Sequence, residues 1–245
     1  MSLLVVRDVF KSFGGNVALK GVSFSLGEGE ILGIVGPNGS GKTTLLNVLS
    51  GTVRQDKGSV FFGGKRVDRL SPHVRARMGI GRTFQITRLF SNLTVLENVL
   101  VPLHYGGPGS DGKRAEEILG MVGLLHMKDV KAGSLSLAQR KRLELARALS
   151  LNPRLLLLDE VFAGLNPVSV REILDLLRRI HSETGVAMIL VEHVLKALFQ
   201  ITRRVIVLSE GRVIYEGEPE GMANSEEVIK AYLGERYEAF RGKGP

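Results

Sequence analysis

An α/β fold built around a phosphate-binding loop is the architecture this sequence predicts, on three observations. Gly36-Pro37-Asn38-Gly39-Ser40-Gly41-Lys42-Thr43-Thr44 sets two glycines five residues apart before Lys and Thr, between a strand-like run at 31–35 and a helix-like run at 45–49. Leu155-Leu156-Leu157-Leu158 is apolar on both faces, as a central parallel strand is, and runs straight into Asp159-Glu160. Strand and helix patterns alternate along most of the chain, with a helical stretch inserted from residue 86 to about 151.

The loop indicates its ligand. Its glycines let the backbone curl so that successive N–H groups point inward at phosphates, and the helix that follows adds its positive end. In that arrangement Lys42 reaches the outer phosphates and the Thr43 hydroxyl ligates Mg²⁺.

Composition sets the bounds. The 245 residues are 44% hydrophobic and 24% charged, enough for one large domain or a core plus a subdomain. With no Cys, disulfide scaffolds, cysteine nucleophiles and thiolate metal sites are excluded together. Residues 1–10 hold only a four-residue apolar run before Arg7 and Asp8, shorter than an export signal carries. The most apolar long window, 186–201, is broken by Glu192, His193 and Lys196, so membrane association is expected to be peripheral. A formal charge of +8 suits nucleotide, nucleic acid or an acidic lipid surface, and equally a solvated basic surface. Lys and Arg are spread along the chain, which argues against a dedicated nucleic-acid arm.

In chain order, residues 3–10 and 22–26 alternate as strands about a Gly14-Gly15 turn, an antiparallel opening. Phe13, just before the glycines, is either core or a platform for a nucleotide base. After the loop and its helix, Gly51 is a helix stop and 58–62 a strand. Ser71-Pro72 begins a helix with Ser as cap and Pro in its first turn, ending by 78–79. Residues 80–85 read as a strand that leaves Gln85 at its end. Thr94-Val95-Leu96-Glu97 is a capping box opening a helix to about 103, residues 104–112 are a Gly-rich loop, and 113–122 form an amphipathic helix. A second capping box, Ser136-Leu137-Ala138-Gln139, opens a long basic helix through 149, whose N-terminus is a further anion site. Adjacent carboxylates at the exit of the strand 155–158 are costly to desolvate unless something cationic is close, and a Mg²⁺–phosphate site meets that need. Asn166-Pro167 starts a helix to about 183, and the apolar strand 186–191 leads to Glu192-His193. Segments 201–208, 211–215 and a helix at 225–233 complete the fold.

Taken together, the ordered pieces from residue 3 to 235 resemble the ATP-binding subunits of ATP-binding cassette (ABC) transporters. The resemblance implies a P-loop NTPase (RecA-like) core with an antiparallel β subdomain and a helical insertion subdomain. It implies a single domain over 3–235, with 3–85 and 152–235 forming the nucleotide-binding core and 86–151 the helical subdomain, followed by a tail at 236–245. It assigns base stacking to Phe13 and phosphate contacts to Gly36, Pro37, Asn38, Gly39, Ser40, Gly41, Lys42, Thr43 and Thr44. Thr43 and Gln85 are then Mg²⁺ ligands, with Asp159 holding the ion through water. Glu160 becomes the general base that polarises water, and His193 the residue that contacts the γ-phosphate. Ser136, Ala138 and Gln139 bind the γ-phosphate held by a second subunit, which demands a head-to-tail dimer around two ATP molecules. The partners implied are ATP, that second ATPase subunit and transmembrane permease subunits, without nucleic acid. The place implied is the cytoplasmic face of the membrane.

Arg82-Thr83-Phe84-Gln85, residues 89–99, Ala163-Gly164-Leu165-Asn166-Pro167 and Ala231-Tyr232-Leu233-Gly234-Glu235 are similar to the importers of branched-chain amino acids. Close relatives carry other amino acids, amides or urea, and lipid export or a nucleotide switch with little turnover are the alternatives. A chromosome-handling member of the superfamily would insert a long coiled coil, for which 85–135 is too short. Two departures stand out. Leu137-Ala138 replaces both glycines of the usual Leu-Ser-Gly-Gly-Gln signature, and the Ala138 methyl implies a weaker closed dimer. Val161 stands where relatives often carry Pro.

Overall fold

The chain opens with two alternating runs joined by Gly14-Gly15. In the computed structural model, which describes residues 2–84, 89–106, 111–222 and 224–233, they form an antiparallel pair. Register sets Leu4 opposite Leu26, Val6 opposite Phe24 and Val9 opposite Val22, all on one buried face of β1 (Ser2–Phe13) and β2 (Asn16–Gly27). β3 (Ile31–Val35) starts a second sheet and α1 (Lys42–Ser50) follows the phosphate loop, stopping at Gly51 in the left-handed conformation. β4 (Lys57–Phe62) and a two-residue β5 (Lys65–Arg66) return to the first sheet, whose order is β2-β1-β4-β5.

α2 (Pro72–Arg77) and β6 (Ile80–Arg82) come next. Two expectations change here. The Ser71 hydroxyl makes no cap bond and lies 3.1 Å from His73 Nδ1 instead, and the strand ends at Arg82 rather than at Gln85, which lies outside the described residues. The helical stretch comprises α3 (Val95–Tyr105), α4 (Gly112–Met121), short 3-10 turns at Leu125–Met127 and Ala132–Ser134, and α5 (Leu137–Leu149). Both capping boxes form as the sequence requires, Thr94 with Glu97 and Ser136 with Gln139.

β7 (Leu155–Asp159), α6 (Pro167–Thr184), β8 (Ala187–Val191), a one-turn α7 (Leu195–Leu198), β9 (Arg204–Ser209), β10 (Arg212–Gly217), a short α8 (Pro219–Met222) and α9 (Glu226–Leu233) follow. β9 begins at Arg204 and not at 201, because the Ile201 and Thr202 amides are spent closing the turn after α7 onto Leu198 O. The second sheet has the order β10-β9-β3-β8-β7-β6, parallel except for the β9–β10 pair.

Apolar residues on both sides of this sheet find cover. Leu155, Leu157, Ile189 and Ile34 pack toward α1 and the antiparallel sheet, while Leu156, Leu158, Leu190 and Val207 pack toward α6 and the helical stretch. Each such Leu or Ile contributes roughly 1.5–3 kcal/mol when withdrawn from water, so covering both faces is what holds a parallel sheet. Because β3, β8 and β7 are parallel neighbours, their C-terminal ends coincide. The phosphate loop, Glu192-His193 and Asp159-Glu160 therefore leave the sheet side by side.

Candidate functional site

A cleft of about 590 Å³ opens at those strand ends, and the loop 38–44, Phe13, Glu160 and His193 share its wall. The loop conformation depends on its glycines. Gly36 has φ 152° and a Cβ there would lie 2.0 Å from Leu208 O; Gly41 has φ 104° and a Cβ would lie 2.5 Å from Ala18 O. Gly41 is also the N-cap of α1, and no side chain caps that helix, whereas α3, α5 and α6 are capped by Thr94, Ser136 and Asn166. The first amides of α1 are thus left for an anion from outside the chain. Lys42, buried at the loop mouth, donates from Nζ to Gly36 O and Pro37 O, each at 2.8 Å. Burial lowers its pKa, while the charges of Glu160 and Asp159 pull it back up.

The two carboxylates after β7 have different surroundings. Asp159 is 1% exposed, and burial raises its pKa against the opposing pull of Arg82. Arg82 Nη2 lies 3.4 Å from Asp159 Oδ2, while Arg82 Nη1 donates to Asn47 Oδ1 and Ser50 Oγ and so ties α1 to the carboxylate. The Asp159 amide donates to Thr83 Oγ1 at 3.2 Å. Glu160 faces the cleft, where His193 Nε2 donates to its Oε1 at 2.6 Å. Its backbone has φ 49°, a left-handed conformation that costs a non-glycine residue about 1–3 kcal/mol and persists only where neighbours enforce it. Its amide donates to Val191 O at 2.9 Å, and its carbonyl accepts from Lys141 Nζ at 2.9 Å.

Of the residues named from the sequence, Phe13, loop residues 38–44, Glu160 and His193 meet at this cleft, while Gly36 and Pro37 begin the loop outside its lining. Phe13 is half exposed, with Lys11 Nζ 5.1 Å from its ring centroid. Asp159 sits just beneath, and Gln85 lies outside the described residues. Ser136, Ala138 and Gln139 are not among the residues lining the cleft. They open α5, where the exposed Ser136 hydroxyl accepts from the Gln139 amide and retains its own proton to donate. Leu137, in a glycine position of the usual signature, lies against Gly164 after β7.

Around the two carboxylates, four buried charged side chains were not singled out from the sequence: Arg82, Lys141, Glu144 and Glu192. Glu192 offered a signal, since like Asp159 it directly follows an apolar strand. It is 1% exposed, takes the Phe162 amide on Oε1 at 3.0 Å, and has its pKa pushed up to about 7, chiefly by burial. Arg82, Lys141 and Glu144 offered none, because their partners lie far off in sequence.

These residues fit a nucleoside triphosphate with its cation. No side chain caps the start of α1, the buried Lys42 ammonium lies beside it, and an exposed aromatic stands at the cleft edge. Asp159 Oδ1 is buried with no hydrogen-bond partner among the described residues, a hard oxygen suited to Mg²⁺, and Thr43 lines the cleft. The family model for the ABC transporter matches residues 19–163. The chain is 36% identical over 238 residues to the lipopolysaccharide export system ATP-binding protein LptB of Acidithiobacillus ferridurans, covering 96% of this chain and 98% of that one. It is 39% identical over 248 residues to the probable branched-chain amino acid transport ATP-binding protein LivG of Archaeoglobus fulgidus, covering 96% of each. A crystal structure of a nucleotide-free ATP-binding cassette from an ABC transporter superposes with a TM-score of 0.88 at 32% identity, covering 96% of this chain and 100% of that one. A dimeric post-hydrolysis state of the cassette MJ0796 bound to ADP and Pi superposes with 0.80 at 31% identity, over 88% and 98%.

Proposed function

This chain belongs to the ABC transporter family as an ATP-binding subunit and ATPase, and from that premise we propose that it drives an importer of amino acids, branched-chain ones first. The family works as dimers of cassettes with membrane permease subunits, so the transported solute passes through proteins other than this one. Among the described residues no helix is long and apolar enough to cross a membrane. We place the subunit on the cytoplasmic face, paired head-to-tail with a second cassette, either a copy or a similar chain.

The single observation that carries the catalytic reading is the Glu160–His193 pair at 2.6 Å on the wall of the phosphate-loop cleft. Loop amides and Lys42 hold the β- and γ-phosphates, and Phe13 takes the base. Thr43 and Asp159, with Gln85, would hold Mg²⁺, which supplies charge neutralisation on the phosphates when bound. The Glu160 carboxylate accepts a proton from water as its oxygen attacks the γ-phosphorus. The bond to the bridging oxygen breaks, and ADP leaves with that electron pair. His193 fixes the Glu160 carboxylate and contacts the γ-phosphate, while Ser136, Ala138 and Gln139 close on the γ-phosphate of the opposite subunit. Residues 3–85 and 152–235 form the nucleotide core in this reading, and 86–151 the arm that carries the signature.

Four sequence segments carry the solute assignment, residues 82–85, 89–99, 163–167 and 231–235, with 39% identity to LivG of Archaeoglobus fulgidus in support. The 36% identity to LptB supports lipopolysaccharide export as the second reading. Glu160→Gln is expected to lower turnover about 100-fold or more while the protein dimerises in MgATP. Full turnover in that variant would sink the catalytic reading. Uptake of labelled leucine by membrane vesicles carrying this subunit with its permease partners tests the solute, and transport of lipopolysaccharide alone would replace the importer by the exporter.

A further inference from the structure

Beneath Glu160 lies a buried cation with no part in the mechanism above. Lys141, on α5 five residues past Ser136, is 3% exposed, and its Nζ donates to Glu160 O at 2.9 Å. A desolvated ammonium is costly unless its surroundings answer it, and here they do. Besides that carbonyl, its charge favours the ionised forms of both Asp159 and Glu192. The carbonyl it grips belongs to the one residue of the site held at φ 49°. With the Glu160 amide tied to Val191 O on the other side, Lys141 is the second of two clamps on a peptide that would otherwise relax toward φ below zero. One turn further along α5, Glu144 Oε1 accepts the Phe84 amide at 2.8 Å, so the same helix face also grips the residue before Gln85.

We propose that Lys141 is a positioning residue for hydrolysis: from the signature helix it holds the left-handed peptide of Glu160, and thereby aims that carboxylate into the cleft of its own subunit. The inference rests on the reading of Glu160 as general base. It gives α5 two tasks. Its N-terminus, Ser136, meets the nucleotide of the opposite subunit, and Lys141, about 7 Å along the helix axis, sets the base of its own.

The test compares wild type, Lys141→Met, Lys141→Arg and Glu160→Gln as full chains, measuring MgATP turnover, ADP affinity, dimerisation in MgATP by light scattering, and amide hydrogen exchange. Lys141→Met is expected to lower kcat about 30- to 100-fold with KM and ADP affinity within about threefold. Its MgATP dimer should accumulate as that of Glu160→Gln does. The Glu160 amide should exchange at least about tenfold faster while β7 and β8 keep their protection. Lys141→Arg, which keeps a charged donor, should recover kcat to within about fivefold of wild type. Unchanged kcat and unchanged Glu160 exchange in Lys141→Met overturn the proposal, as does a variant that loses ADP affinity and the dimer along with kcat, the mark of a packing role. Wild-type turnover in Glu160→Gln would instead overturn the general-base reading and carry this inference with it.

Discussion

Glu192 shows what burial does to a single side chain in this protein. Withdrawal from water raises its pKa to about 7; the Phe162 amide and Lys141 pull it down, and Glu160 pushes it up. In the unfolded chain the same carboxyl titrates near 4.5. Between those two values the unfolded chain releases a proton that the folded chain retains. Stability is therefore lost as pH rises from 4.5 to 7 and is flat above. The loss is on the order of 3 kcal/mol for a shift of this size. Glu192→Gln lacks this slope, so the stability difference between wild type and variant should shrink or invert across that window in chemical denaturation, and parallel curves at pH 4.5 and 7.5 would refute the assignment. Nothing in the string of residues distinguished this acid from an exposed one beyond its place after an apolar strand. Its partner amide, Phe162, comes from the neighbouring strand's exit.

At the scale of elements, α1 has no side-chain cap at its N-terminus, and its C-terminus is anchored by a group it does not contain. Its C-terminus ends on Gly51, and its last carbonyls are met by Arg75 of α2, whose Nη1 donates to Val48 O at 2.7 Å and Leu49 O at 2.9 Å. Arg75 is fully buried, so its removal takes the guanidinium from Leu49 O and leaves Val48 O with the Gly51 amide alone. Arg75→Met is expected to destabilise the protein by about 2–4 kcal/mol, seen as a lowered Tm, with a loss under about 0.5 kcal/mol refuting the anchor. The Thr94 capping box is a lesser support, and Thr94→Ala should cost about 1 kcal/mol in the same measurement. These elements were legible to different degrees. Thr94, Ser136, Asn166 and Gly51 act on backbone within four residues, so their roles stand in the sequence itself. Arg75 reaches 26 and 27 residues back along the chain, and no local pattern announces it.

At the scale of the whole molecule, Ser136 is not among the residues lining the cleft of its own chain, which supports the head-to-tail dimer proposed above. Lys42→Ala and Ser136→Ala proteins should each be nearly inactive alone. Mixed as copies of one chain, they form heterodimers with one site intact and one doubly altered, so turnover should recover to roughly a quarter of wild type. Recovery absent from the mixture, in a protein that does form homodimers, would place both residues at one intrachain site. What the sequence by itself determined is the local chemistry: a glycine loop that curls for phosphate, helices that begin at their caps, and strands apolar on both faces that must be covered twice. Only the tertiary structure decided which strand ends coincide and which charges neutralise one another, as when Thr83 and Arg82 meet Asp159 across more than seventy residues of chain. The reason is physical. Backbone conformation answers to neighbours a few residues away, whereas the solvation of a buried charge depends on whatever the packed sheets and helices bring within a few ångströms of it.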